Sequence, residues 1–260
     1  TPLAGAPLNR QVFYFIPGVA DQARALFNFA ASKPELKKAR AAIVASDSVL
    51  ASAVASAVEE QSKRAAWGTI ARRDFRAGSF DAAQHVRELK QSGADAVFLF
   101  CANGEESAFI KAAVAAGWSP HVFLVGVLAG HELVSNVPAD FKDRIFLTFP
   151  TVPGDITPEV AGEYTALLER HKFARRNIAS QLAALAAAKV FVEALKRSGR
   201  EVTRERLINA LEGLYDFETG ITPRLTFGPN RRVGAQGAYI VTIDPEKKNF
   251  MPASGWVSSN

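Results

Sequence analysis

The sequence has 260 residues, of which 48% are hydrophobic, and a formal net charge of +5 at pH 7. This length and apolar content allow one large domain or two small lobes with a real core. The basic residues are spread over many segments, so the positive charge does not predict nucleic-acid binding. The only cysteine, Cys101, excludes a disulfide framework within the chain. No metal-ligand spacing is present, and no metal ion or cofactor is predicted.

Two features bear on membranes and export. The most apolar stretch, residues 182–192, is rich in alanine and is soon followed by charge, so no direct membrane insertion is expected. The first residue is Thr1, and no basic-then-apolar segment precedes the first predicted strand. We therefore expect that an upstream portion, such as a signal peptide or a half-lobe, has been removed.

The first part of the chain alternates short β-branched and aromatic runs with stretches of helical period, which is typical of βα units on a parallel sheet. The predicted strands are 11–16, 41–45, 69–75, 96–101, 121–127 and 144–149. The predicted helices between them are 21–32, 49–66, 81–91 and 105–116.

The pattern changes at residue 150, where three prolines and a glycine fall close together and three consecutive helices follow. Thr157, Pro158 and Glu159 supply an N-cap hydroxyl, a proline at the first helical position and an acid in the first turn. They predict a helix over 158–171. The later predicted elements are helices 177–197 and 203–213, strand 224–227, a turn at 228–230 and strand 238–244.

Several segments, in this order, resemble the extracellular ligand-binding receptor family, the type I periplasmic binding proteins related to leucine/isoleucine/valine-binding protein. They are Phe15-Ile16-Pro17, Ile43 to Ser48, Gly93 to Phe100, Leu225 to Arg232 and Gly237 to Val241. The resemblance covers roughly residues 11 to 245 and implies two lobes of parallel sheet flanked by helices and joined by crossing strands. The family's first half-lobe has no counterpart before Gln11, so we expect a fragment of a longer chain.

The resemblance also implies a division of the chain. Residues 11–147 with 236–260 are expected to form the second lobe, and residues 148–235 the helix-rich remainder of the first. Hinge positions are expected where strands cross between lobes, at Phe149, Pro150, Pro229 and Ala238.

Ligands of open parallel sheets bind outside the carboxyl ends of the strands, which selects three loops. The predicted ligand-binding residues are Ser46, Asp47, Ser48, Val49, Cys101, Ala102, Asn103, Val127 and Leu128. Simpler interpretations remain for some of them: Asp47 or Ser48 as a helix cap, Asn103 as a cap, and Cys101 as a small core residue. Amino-acid binders of the family place aromatic residues near positions 49 and 102 and an acid near position 127, where this chain has small apolar residues.

The sequence lacks the motifs of a nucleophile elbow, a phosphate loop, a dinucleotide fold or a zinc protease, which favours a noncatalytic binder. The resemblance implies a periplasmic or secreted protein that holds an amino acid, or a related carboxylate or amide, between two lobes for an ABC permease. The alternative is the ligand-sensing domain of a larger receptor or redox-regulatory protein, tethered to another domain.

Overall fold

The computed structural model describes residues 9–67, 70–101, 104–129 and 132–260. The chain divides into two compact units. The first, which we call the sheet unit, comprises Gly18–Phe149 and Gly237–Asn260; the second, the helical unit, comprises Thr1–Pro17 and Pro150–Gln236.

The sheet unit has five α-helices and a seven-stranded sheet within the described residues. The helices are α1 (Val19–Ser32), α2 (Val49–Arg64), α3 (Ala82–Gln91), α4 (Glu105–Ala115) and α5 (Glu132–Asn136). The strands are β1 (Ala41–Ser46), β2 (Ala71–Phe75), β3 (Ala96–Phe100), β4 (His121–Val125), β5 (Ile145–Phe149), β6 (Gly237–Asp244) and β7 (Asn249–Ser258).

The strands lie in the order β2-β1-β3-β4-β5-β6-β7. The first five are parallel, whereas β6 and β7 are antiparallel to their neighbours. Every residue of β1 and β3 is buried, because both faces of a parallel sheet are covered by helices. The mixed α/β class predicted from the sequence is confirmed.

Alternate side chains of the central strands enter two different cores. Ile43 and Phe98 pack with buried residues of α1 and α2 on one face, and Val44 and Leu99 pack with α3 and α4 on the other. The edge strand β2 is instead charged. Its Arg72 forms ion pairs with Glu59 and Asp74, and such charges discourage pairing with another chain.

The helical unit contains α6 (Pro158–His171), α7 (Ile178–Ser198) and α8 (Arg204–Glu212). Helix α6 begins as predicted, with the Thr157 hydroxyl accepting a hydrogen bond from the Val160 N–H at 3.4 Å and Pro158 in the first turn. Within its described residues this unit has isolated bridges but no strand, so the sheet described above belongs to the sheet unit alone.

Helix α7 is apolar around most of its circumference. It is the one helix among the described residues that is long and apolar enough to cross a membrane, judged by length and composition alone. No such stretch was expected from the sequence, because charged residues follow residue 192. Within the helix, Lys189 pairs with Glu163 of α6 at 2.7 Å.

Two predicted strands are not strands. Of residues 11–16, only Tyr14 forms a bridge, with Val233, and this segment lies in the helical unit rather than with the sheet. The reason is local packing: the Tyr14 N–H donates to the Arg232 carbonyl at 2.8 Å, and Phe13 packs edge-on against Phe227. Residues 224–227 likewise form one bridge, between Leu225 and Phe217.

Candidate ligand-binding site

The candidate site is the edge of the sheet unit at which the parallel strands end. Strand β3 lies between β1 and β4, so the loops that follow these three strands are neighbours. Strands are spaced about 4.8 Å apart, which puts the ends of β1 and β4 about 10 Å from each other. That span suits a small molecule.

The loop after β1 is held together by its own hydroxyl groups. Ser46 is buried, and its Oγ lies 3.0 Å from the Oγ of Ser48. The Ser48 Oγ also accepts a hydrogen bond from the Ala51 N–H at 3.2 Å, which makes Ser48 the N-cap of α2. Both serines therefore have internal partners, and their contact with a ligand stays a prediction.

Asp47 joins two loops of this edge. Its carboxylate Oδ1 accepts a hydrogen bond from the Ala77 N–H at 2.9 Å, and its own N–H donates to the Phe75 carbonyl at 2.8 Å. Phe75 ends β2 and Ala77 lies in the loop that follows. Asp47 is thus directed toward the β2 side of the edge.

Apolar side chains are exposed on both sides of the end of β3. In the first turn of α2, Val49 is 74% exposed and Leu50 is 40% exposed. In the single turn of 3-10 helix after β4, Val127 is 67% exposed. Leu128 is half-buried against the core on the α1 and α2 face. Val49, Leu50 and Val127, which we call the valine edge, are the large solvent-exposed apolar groups among the described residues of these loops.

Gly126 sets the path of the β4 loop. A β-carbon at this position would lie 2.5 Å from the Thr148 carbonyl oxygen and 2.9 Å from the Phe149 ring. Only glycine allows so close an approach of this loop to β5. Gly126 was not singled out from the sequence, although a glycine directly after a buried strand is a signal that could have found it.

Cys101, at the end of β3, is a core residue. It is 3% exposed, and its thiol points to the carboxylate of Glu106 with Sγ and Oε2 4.0 Å apart. Burial, with a smaller contribution from Glu106 and Glu105, raises the pKa of the Cys101 thiol. The group therefore stays protonated and unreactive at neutral pH. Glu106, buried in the first turn of α4, was not predicted from the sequence.

Ala102 and Asn103, the other predicted residues of this loop, lie outside the described residues, as do Gly130 and His131. In the part of the chain that the structure describes, no group of three or more histidine, cysteine or acidic residues could hold a metal ion.

The predicted hinge residues lie in different settings. The chain passes between the units after Pro17, after Phe149 and after Gln236, so Phe149 and Pro150 flank one crossing. Ala238 is in β6, paired with Val257 just beyond the third crossing. Pro229 instead lies in a turn of the helical unit, where Gly228 and Arg231 exchange backbone hydrogen bonds of 3.1 and 3.0 Å. A hinge role for the four stays a prediction.

A seven-stranded, mostly parallel sheet flanked by helices defines an α/β class of fold, and sequence comparison identifies the family. The family model described as periplasmic binding protein matches residues 1–249. The chain belongs to this family and has its type I fold. None of the curated proteins matches the chain.

Solved structures of similar fold include several transport proteins. A branched-chain amino acid ABC transporter protein from Thermus thermophilus with bound valine is 18% identical, with a TM-score of 0.71 over 98% of this chain and 69% of its own. A leucine-binding protein from Thermotoga maritima is 14% identical, with a TM-score of 0.68 over 96% and 69%. A fatty acid ABC transporter substrate-binding protein from Thermomonospora curvata is 12% identical, with a TM-score of 0.67 over 97% and 68%. The chain thus spans about two thirds of their length.

Proposed function

We propose that this protein binds a small solute without transforming it and delivers the solute to an ABC importer, in the periplasm or outside the cell. The observation that carries the proposal is the valine edge: Val49 and Val127 are exposed on opposite sides of the end of β3. Apolar surface of this kind gains free energy when a ligand covers it, by about 25 cal/mol for each Å² removed from water.

The ligand we propose has an apolar part that contacts the valine edge and a polar end. An amino acid, or a related carboxylate or amide, meets this description. Among the similar structures, the Thermus thermophilus protein has bound valine and the Thermomonospora curvata protein is a fatty acid transporter's binding protein, and both molecules combine an aliphatic group with a carboxylate. These names support an aliphatic ligand rather than one particular compound.

The chemistry of the edge supports binding rather than catalysis. The one thiol, Cys101, is buried and has a raised pKa, so it is a poor nucleophile. The Ser48 hydroxyl caps a helix, and the Asp47 carboxylate is bound to a backbone N–H. In the described residues of this edge these groups stabilise loops.

The experiment is calorimetric titration of the protein with matched pairs of solutes. Leucine and isocaproate share their aliphatic group, but only leucine carries an ammonium, and isocaproamide tests the carboxylate. Binding of leucine, isocaproate or isocaproamide supports the proposal. If isocaproate binds, Val127→Asp should weaken its binding by about tenfold or more, because a carboxylate at the valine edge repels an anion. Val202→Asp is the control, because Val202 is also exposed and lies in the helical unit.

The outcome also separates the ligand classes. If leucine alone binds, an ammonium is recognised and the amino acid is the ligand class. If none of the solutes binds or raises the melting temperature, the solute-binding function is wrong. Uptake of the labelled solute by cells, compared between the wild type and a gene deletion, then tests delivery to an importer.

A further inference from the structure

Helix α2 carries two of the three residues of the valine edge. Val49 and Leu50 are its first two residues, and the hydroxyl of Ser48 caps it. A helix is stiff over one turn, so a shift or rotation of α2 moves both side chains with it. The placement of Val49 and Leu50 therefore depends on what holds α2 in position.

The face of α2 that packs on the core has small apolar side chains. They are Ala51, Val54, Ala55, Ala57 and Val58. Helices pack by fitting ridges of side chains into the grooves of their neighbours, and alanine and valine form shallow ridges. Such packing holds the helix against the sheet, but it restrains sliding and rotation less than long side chains would.

One guanidinium group binds a second face of α2. Ser52, Ser56 and Glu59 are spaced by four and three residues, so they lie on the same face of the helix. The Nη2 of Arg72 donates to the Ser52 Oγ at 3.3 Å. Its Nη1 donates to the Ser56 Oγ at 3.3 Å and to the Glu59 Oε2 at 3.0 Å. Arg72 therefore holds α2 at points about two turns apart.

The guanidinium is also fixed on its own strand. Arg72 lies in β2, and its Nε donates to the two carboxylate oxygens of Asp74 at 2.8 and 3.1 Å. All three nitrogen atoms of the planar group thus have partners, which fixes its direction in a way that a flexible lysine ammonium does not. The Arg72 side chain is 22% exposed, so water and salt screen these bonds less than those of a fully exposed pair.

We propose that Arg72 is a positioning residue of the valine edge. It fixes where α2 lies along β2, and through α2 it places Val49 and Leu50 where the apolar part of the solute contacts them. This inference rests on the solute-binding function proposed above, and it assigns Arg72 no contact with the solute.

The next residue of the strand, Arg73, provides a matched control. Successive side chains of a strand point to opposite faces of the sheet, and Arg73 pairs with Glu88 of α3 rather than with α2. Each of the two arginines has a glutamate partner on a helix. Arg72→Met and Arg73→Met therefore remove the same charge and the same kind of ion pair, but only Arg72→Met loosens α2.

The effect on binding is measured by calorimetric titration with leucine, isocaproate and isocaproamide. For each of these solutes that binds the wild type, Arg72→Met should weaken binding by about tenfold and Arg73→Met by less than about twofold. Isocaproamide is uncharged, so a loss of its affinity does not arise from the loss of a positive charge. Equal losses in the two variants, or an unchanged affinity in Arg72→Met, would overturn the positioning role.

The position of α2 is measured without a solute, by NMR of protein labelled at its leucine and valine methyl groups. Arg72→Met should shift the signals of Val49 and Leu50, and Arg73→Met should leave them unchanged. Unchanged signals in both variants would contradict the proposal. If the signals shift but none of the solutes binds the wild type, the placement of α2 by Arg72 is confirmed and the solute-binding function alone is wrong.

A milder variant keeps the test valid if Arg72→Met does not fold. The double substitution Ser52→Ala, Ser56→Ala removes two hydroxyl partners of the guanidinium. The ion pairs of Arg72 with Glu59 and Asp74 remain. This variant should keep its melting temperature and bind the same solutes about threefold more weakly. Wild-type affinity in the double variant, together with an unfolded Arg72→Met, would overturn the proposal.

Discussion

The backbone of Gly126 packs so closely against β5 that a β-carbon would lie 2.5 Å from the carbonyl oxygen of Thr148. This contact fixes the turn that carries Val127. Val127 is therefore exposed on the valine edge because the backbone of the turn places it there, as well as because its side chain lacks a covering neighbour among the described residues.

Gly126→Ala should destabilise the sheet unit by about 1 to 3 kcal/mol, because either the turn or β5 has to move. It should also weaken solute binding at the valine edge, since Val127 moves with the turn. All three tryptophans, Trp67, Trp118 and Trp256, lie in the sheet unit, so tryptophan fluorescence during urea unfolding measures the effect. Gly154→Ala, where a β-carbon meets nothing within 4 Å, is the control and should change stability little.

The buried ion pair of the helical unit gives a second prediction. Arg232 is 2% exposed, its Nη2 lies 2.5 Å from the Oε1 of Glu212, and its guanidinium stacks 4.5 Å from the Phe13 ring centre. Arg232→Met leaves the nearly buried Glu212 carboxylate paired with Arg10, which is exposed and 3.7 Å away, and should cost about 3 kcal/mol.

The loss should appear in the helical circular dichroism signal before the tryptophan signal, since the tryptophans are elsewhere. The double variant Arg232→Met, Glu212→Leu should recover part of the stability, because it removes both charges. Lys142→Met breaks an exposed pair with Glu246 and should cost no more than about 0.5 kcal/mol. Equal losses of stability in Arg232→Met and Lys142→Met would show that burial does not increase the cost of breaking an ion pair in this protein.

Cys101 should not react with a thiol reagent such as Ellman's reagent in the folded protein. Burial raises the pKa of its thiol, so the reactive thiolate is scarce and the reagent has no access. In urea, one thiol for each chain should react, in step with the fluorescence transition. Rapid reaction of the native protein would mean that the end of β3 opens to solvent.

Stability should fall as the pH is lowered below about 6.5, the ordinary pKa of histidine. Burial, and next the nearby Arg144, lower the pKa of His121 in the folded state, so the unfolded chain takes up the proton first and is favoured by acid. Glu35 opposes this shift and Lys33 adds to it.

His121→Phe tests the assignment, because a phenylalanine can keep the stacking on Phe146 but cannot titrate. Its stability should depend less on pH in the same range. Part of the dependence should remain, since burial also lowers the pKa of His85. An unchanged pH profile in the variant would assign the effect to other groups.

Most of the sheet could be predicted because its strands are continuous apolar runs between helical stretches. Residues 41–45 and 96–101 were predicted as strands and are found at Ala41–Ser46 and Ala96–Phe100. Strand β7 could not be predicted, since Pro252 and Gly255 interrupt it and its side chains are largely exposed. Residues 11–16 have strand composition, but Tyr14 alone forms a bridge, with Val233, and a partner more than 200 positions away leaves no local signal in the sequence.

That the loops after β1, β3 and β4 lie at one edge of the sheet also followed from the sequence, whereas ligand contact there stays a prediction. The hydrogen bonds that orient these loops did not follow from the sequence. The contact from Asp47 to Ala77 depends on β1 and β2 being neighbours, and a pairing of this kind leaves no local signal in the sequence.

The antiparallel end of the sheet has a consequence for the order of folding. Strand β5 ends at Phe149, yet its partner β6 begins at Gly237, after the whole segment of the helical unit that starts at Pro150. During synthesis, one edge of β5 must stay unpaired until this segment and the last two strands have emerged. A contact so distant in sequence slows folding and prolongs the exposure of a strand edge, so this protein should depend on chaperones more than its size suggests.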